Sequence, residues 1–323
     1  MDFPGGRRSG ILGKMAYRLE RDERVIAGLK RVVRDEIESA SAHLAGLKKS
    51  SRDEAIHEAR KSIKKVRALL RLAGRELGGA GTREDRRLRD IGRRLSEFRD
   101  AFVMIETFDG LKRKYRGETA RKLWSVRRGL IQRRRESRRE EEMRIVLEHA
   151  SAALGQTAQR VAAWPLLTDG YAALSEGLEA TYRAGRAALE RVHANSHAEN
   201  FHQFRKRVKD HWYHIRLLEN LWTDVMRAYE KALKDVETWL GEDHNLAVLR
   251  ERVAAEPAFY GSPADIELLH DLIGRYQTEL RQQSLAVAER IYEEKPREFR
   301  RHMKHLWDTW QHEPELEKSP TAA

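Results

Sequence analysis

Cysteine is absent from all 323 residues, which excludes disulfides and thiolate metal sites. Proline is scarce, with seven residues at 4, 165, 257, 263, 296, 314 and 320, so the long spans between them hold no obligate helix breaker. No apolar run reaches the roughly 18 residues of a membrane-spanning helix. The opening MDFPGGRRSGILGKMAYRLE lacks the apolar core of a secretory signal. Alternating β-branched runs of strand length are also missing. These absences lead us to expect an all-α, cytoplasmic protein that does not enter a membrane.

What fills the chain is charge on good helix formers. Lys and Arg number 63 against 51 Asp and Glu, a net +12. The excess is lopsided: residues 1–150 hold 40 Lys/Arg and 24 Asp/Glu, whereas residues 151–323 hold 23 and 27. A basic half suits a polyanionic partner, although solvated Arg-rich helices have the same bulk composition. Position along the helices has to separate the two. Helices are predicted over about 18–48, 53–77, 82–116, 118–154, 168–194, 197–222, 226–254 and 263–312, the last broken near Pro296. Ser and Asp in GLKKSSRDEA are candidate N-caps, LGGAGTRED reads as a glycine loop, and Ser262 with Pro263 reads as a cap followed by the first helical residue. AAWPLLTDG is the natural joint between the two halves.

The chain repeats itself. A gapless shift of 145 residues lays His57, Arg60, Lys61, Lys64, Arg71 and Leu72 on His202, Arg205, Lys206, Lys209, Arg216 and Leu217. The same shift lays Leu88, Asp90, Leu95, Glu97 and Val103 on Leu233, Asp235, Leu240, Glu242 and Val248. Between 54 and 106, thirteen of 53 positions are identical, where chance gives roughly three or four. Two homologous helical halves, over 12–155 and 165–312, are the economical reading, with flexible termini at 1–11 and 313–323.

At 100° per residue, with His57 at zero, Arg60, Lys61, Lys64, Arg67 and Arg71 fall between about 280° and 40°, one continuous stripe. Ile56, Ile63, Val66 and Leu70 fall on the core side. In the second copy His202, Arg205, Lys206, Lys209 and Arg216 form the stripe, while Phe201, Phe204, Val208 and Ile215 face inward. Within each helix the stripe is nearly uncompensated: 57–71 has six Lys/Arg and only Glu58, and 202–216 has five and only Asp210. Mutual repulsion between like charges one turn apart destabilises a helix slightly. Its repetition at equivalent positions favours a polyanion site over a solvated face.

Neither stripe comes with paired carboxylates, a Ser/His/Asp set or a glycine-rich phosphate loop. Repeated Arg and Lys instead supply donors to phosphate oxygens. His57 and His202 would donate to phosphate if protonated and orient their neighbours if neutral, and a plain hydrogen-bonded helix-start role fits them equally well. The pairs His193/His197, His211/His214 and His302/His305 have metal-compatible spacing but no accompanying carboxylate motif, so we read them as structural or solvent-facing.

The motifs IHEARKSIKKVRALLRL, LRDIGRRLSEFRDAFVMI, TYRAGRAALERV, FHQFRKRVKDHWYHIRLL and LKDVETWLGEDHNLAVL together resemble the CHAD family, the conserved histidine α-helical domain. The resemblance spans about 18–310. It implies two four-helix bundles related by pseudo-twofold symmetry, with a basic central groove that binds inorganic polyphosphate, and in some members location at polyphosphate granules. The implied binding residues are His57, Arg60, Lys61, Lys64, Arg67, Arg71, Arg183, Arg186, His202, Arg205, Lys206, Lys209 and Arg216. No cofactor, metal or catalytic residue is implied. Many relatives are fused to a triphosphate tunnel metalloenzyme domain with an E-x-E-x-K signature. None occurs in these residues, so that activity is not carried over. The copies also differ: Asp210 stands at the position of Lys65 and Trp212 at that of Arg67, which weakens the second stripe. Competing readings are a nonspecific nucleic-acid-associated protein and, third, a metal-dependent phosphohydrolase.

Overall fold

The structure, a computed structural model, describes residues 17–45, 52–119, 122–136, 140–165 and 168–313. The predicted flexible termini fall almost wholly outside them, as do the candidate caps Ser50 and Ser51. Every regular element among the described residues is helical. The first half contains α1 (Val25–Ala45), α2 (Arg52–Leu72), α3 (Gly74–Glu97), α4 (Asp100–Lys114), the single turn α5 (Arg116–Thr119), α6 (Trp124–Glu136) and α7 (Glu140–Val161). The second contains α8 (Ala172–Ala194), α9 (Ala198–Leu217), α10 (Thr223–Ala255), the turn α11 (Pro257–Tyr260), α12 (Pro263–Ile291) and α13 (Pro296–His312). Among the described residues no helix is long and apolar enough to cross a membrane.

Local chemistry explains the boundaries. Ser262 caps α12 by accepting the Asp265 amide at 3.2 Å, with Pro263 opening the helix as expected. Pro296 opens α13 in the same way. Two predicted boundaries are corrected. The glycine loop at 77–82 is a kink inside α3: Gly78 takes φ 47°, ψ −130°, a conformation open to glycine, while the helix continues on both sides. The predicted helix 82–116 divides at Phe98 and Arg99, so α4 can leave the line of α3.

The apolar faces lie where the periodicity puts them. Ile56, Ile63, Val66 and Leu70 of α2, and Phe201, Phe204, Val208 and Ile215 of α9, are at most 3% exposed. Full burial of each contributes roughly 1.5–3 kcal/mol. Helix α1 packs on α2 and α7, and α2 on α3; in the second half α8 packs on α9 and α13, and α9 on α10. Two apolar clusters result. One joins α1, α2, α3 and α7 to α8, α9, α13 and the start of α10. The other joins α4 and α6 to α11, much of α12 and the end of α10. Each cluster therefore draws residues from both halves of the sequence.

Two contacts fix how the stripe helices meet. His214 Nε2–H of α9 donates to the Ala68 carbonyl of α2 at 2.9 Å, with the ring fully buried. Helix α8 crosses the end of α2 so closely that a Cβ on Gly177 would lie 1.9 Å from the Leu72 carbonyl oxygen. Side-chain-free backbone at 177 is thus a condition of the crossing.

Candidate functional site

Where α2 and α9 come together, a pocket of about 590 Å³ opens. Helix α2 supplies Lys64, Arg67 and Arg71; α9 supplies His202, Gln203, Arg205, Lys206, Arg207, Lys209, Asp210 and Tyr213; α3 supplies Arg89. Eight Lys/Arg thus face one lining carboxylate. Residues from both stripes line one cavity because the apolar faces of α2 and α9 are buried on the same cluster, leaving their basic faces turned toward each other.

Seven of the thirteen predicted residues line the pocket: Lys64, Arg67, Arg71, His202, Arg205, Lys206 and Lys209. The other six do not. Arg60, higher on the same stripe, is drawn to α3, where it donates to the Gly92 carbonyl and Ser96 Oγ. Lys61 turns to Glu58 at 3.2 Å, and His57 is exposed beside the same acid. Arg216 leans toward Glu230 at 3.8 Å and over the Tyr17 ring. Arg183 and Arg186 stand apart on α8. Arg183 pairs with Glu179, and Arg186 ties down the connection between α12 and α13 by donating to the carbonyls of Tyr292, Glu293 and Glu294. An arginine that satisfies three backbone carbonyls of a connection has a sufficient structural reason to be there.

The stripes are better compensated than a one-helix count indicates, because the acids come from neighbouring helices. Asp85 of α3 holds Arg67 at 2.9 Å and Arg71 at 3.1 Å, and Asp210 holds Arg71 at 2.8 Å. Glu237 of α10 accepts from both Arg205, at 3.1 Å, and Lys209, at 2.7 Å. Lys65 is paired with Glu36 at 2.7 Å. Counting Asp85, Asp90, Asp210 and Glu237, which pair with lining cations, against the eight leaves a surplus of four positive charges. The 145-residue equivalent of Glu237 is Gly92, so the α2 side has no matching acid.

The half-buried Lys64 shows the consequence. It has no ion-pair or hydrogen-bond partner among the described residues. Burial, and then repulsion from Lys209, Arg60 and Arg205, hold its ammonium well below the usual lysine range. An anion in the pocket would supply the missing counter-charge. Glu237 shows the opposite balance: burial raises its carboxyl, but Lys209 and Arg205 outweigh that and hold it below the usual range.

The histidines resolve toward the neutral form. His202 stacks on His244 of α10 with ring centres 4.1 Å apart. Burial lowers both, with Lys206 acting next on His202, and His202 and Arg205 on His244, which falls to about 4. Partial covering of its ring, and then Arg99, bring His57 to about 4. Arg99 and His244 are themselves 145 residues apart, so each stripe histidine meets the equivalent partner. His211 is fully buried, its Nδ1 3.3 Å from the Tyr292 hydroxyl and its ring against Tyr182, Tyr229 and Phe299. With His214 tied to Ala68, this pair is structural, as its spacing without carboxylates suggested.

Sequence reasoning missed Arg89, Arg207, Gln203, Tyr213, His244, Asp85 and Glu237. Arg89 and Glu237 sit on the helix following each stripe. The repeat marked those helices as related, but nothing in the spacing aims these side chains at the stripe.

A family model described as the CHAD domain matches residues 31–254. Among solved structures, the crystal structure of the CHAD domain from the plant Ricinus communis is similar, with TM-score 0.60 and 19% identity over 85% of this chain and 94% of that one. At that identity the likeness is one of fold. No curated protein matches the chain.

Proposed function

The chain belongs to the CHAD family, and from that premise we propose that it is a non-catalytic binding module for inorganic polyphosphate. One observation carries the reading: Lys/Arg from two separate stripes converge on one cavity with a surplus of positive charge. A flexible chain with about one charge per phosphate can satisfy many such donors at once, and releases counterions as it does. Forked arginines and the unpaired Lys64 ammonium recognise phosphate oxygens without a metal bridge. In this proposal the two halves act as pseudo-twofold-related repeats around the pocket, and attachment to polyphosphate granules follows from the binding.

The nucleic-acid alternative is less well served. Of the two aromatic rings lining the pocket, Tyr213 is 1% exposed and His202 is already stacked on His244, so neither offers a free face to an unpaired base. The deciding experiment is competition between long polyphosphate and duplex DNA at fixed salt, with a parallel assay for released phosphate. We expect polyphosphate to win, with no phosphate released. Affinity should fall steeply with salt and be indifferent to a chelator. Preference for DNA, metal-dependent phosphate release or a flat salt response would each overturn the proposal.

A further inference from the structure

The pocket is too small for a long polymer. Its 590 Å³ has room for on the order of ten phosphate units if each takes the space of about two waters. A longer chain must leave across the surface, and one side of the mouth is prepared for it. Arg86, Arg89 and Arg93 of α3 fall within about 60° of one another on the helix and span about 10 Å along it. All three are exposed. Arg89 lines the pocket, and neither Arg86 nor Arg93 has an ion-pair or hydrogen-bond partner among the described residues.

The setting of α3 aligns this row with the stripe. Asp85 reaches Arg67 and Arg71, while Gly92 and Ser96 receive Arg60. Helix α3 therefore runs antiparallel to α2, with the arginine row next to the face that touches it. The matching positions on α10 are Lys231, Lys234 and Thr238. Lys231 is held by Asp235 at 2.6 Å and Thr238 carries no charge, so the row is one-sided.

We propose that Arg86, Arg89 and Arg93 form an exit rail that binds the part of a polyphosphate chain lying beyond the pocket, so that the protein prefers long chains to short ones. This inference rests on the polyphosphate reading and adds to it a site and a length preference. Arg86 and Arg93 have no partner among the described residues, Arg89 has only its neighbour Asp90 at 3.4 Å, and a polyanion passing Arg89 would meet Arg86 on one side and Arg93 on the other.

The test pairs Arg86→Gln/Arg93→Gln with a control, Arg297→Gln/Arg301→Gln on α13, which removes the same charge from exposed positions away from the pocket. Each protein is titrated with tripolyphosphate and with chains of about 100 units at one salt concentration. We expect the rail variant to lose about fivefold or more in affinity for the long chain, from two exposed charge contacts. Its tripolyphosphate affinity should stay within about twofold, and the control should stay within about twofold on both ligands. Equal losses from rail and control, equal losses on both ligands, or no loss at all would overturn the rail while leaving pocket binding intact. Wild-type protein that binds neither ligand would instead overturn the polyphosphate reading and the rail with it.

Discussion

Replacing Lys64 with Met should make the protein more stable and a poorer binder. The lysine is half-buried among Lys209, Arg60 and Arg205, and has no acid of its own. Methionine keeps the length of the stem and removes the charge, so the repulsion disappears with little loss of packing. Relieving a site of this kind typically stabilises by about 1 kcal/mol, which for a chain of this size is a rise of about 2 °C in Tm. The sign of the pH dependence is fixed by linkage. Because the folded state holds fewer protons on Lys64 than the unfolded state does, wild-type stability rises with pH between the depressed folded value and the unfolded value near 10.4. The advantage of the Met variant should therefore be present at pH 7 and shrink as the pH approaches 10. Affinity for polyphosphate should fall about three- to tenfold, the loss of one charge-assisted contact of about 0.5–1.5 kcal/mol. Thermal melts at pH 7 and pH 10 and titrations at pH 7 read both effects. A lower Tm with unchanged affinity would refute the reasoning, because it would make Lys64 a structural residue.

Glu237→Gln should raise polyphosphate affinity about threefold to tenfold, since it frees Arg205 and Lys209 from an internal anion that the ligand must displace. It should also cost stability that wild type has above about pH 4.5 and loses as the pH falls through the depressed folded value; reduced affinity would show that the acid positions the cations. His211 and His214 are held by burial at about 3 and about 4, so unfolding protonates them at mildly acidic pH. Urea melts should show roughly 2 kcal/mol lost per histidine between pH 6.5 and 5, and a flat profile would contradict their neutral burial. Gly177→Ala should destabilise by about 1–3 kcal/mol or more, because the added methyl meets backbone rather than a movable side chain; an unchanged melting curve would show that α8 can move off α2.

The all-α class was legible because proline is scarce, strand patterns and apolar spans are missing, and helix formers fill the remainder. The stripes were legible too, since helical periodicity fixes the azimuth of every residue about its own axis. It placed Ile56, Val66, Phe204 and Val208 inward and Lys64 and Lys209 with the other cations. The 145-residue shift identified which segments correspond, but that Arg99 and His244 sit at equivalent positions beside the stripe histidines emerged only from the packing. Azimuth says nothing of what occupies the space a side chain points into. Arg60 and Lys64 share a stripe, yet α3 absorbs the first and leaves the second unpaired. Arg186 belongs to a family motif, yet the connection after α12 takes its guanidinium. Asp85 and Glu237 are far from the stripes in sequence and reach them only because α3 and α10 pack beside α2 and α9. Charge compensation crosses between helices, so which cations stay free for a ligand was settled by packing. The sequence by itself determined the helices and their basic faces; the tertiary structure decided which of those charges meet in one pocket.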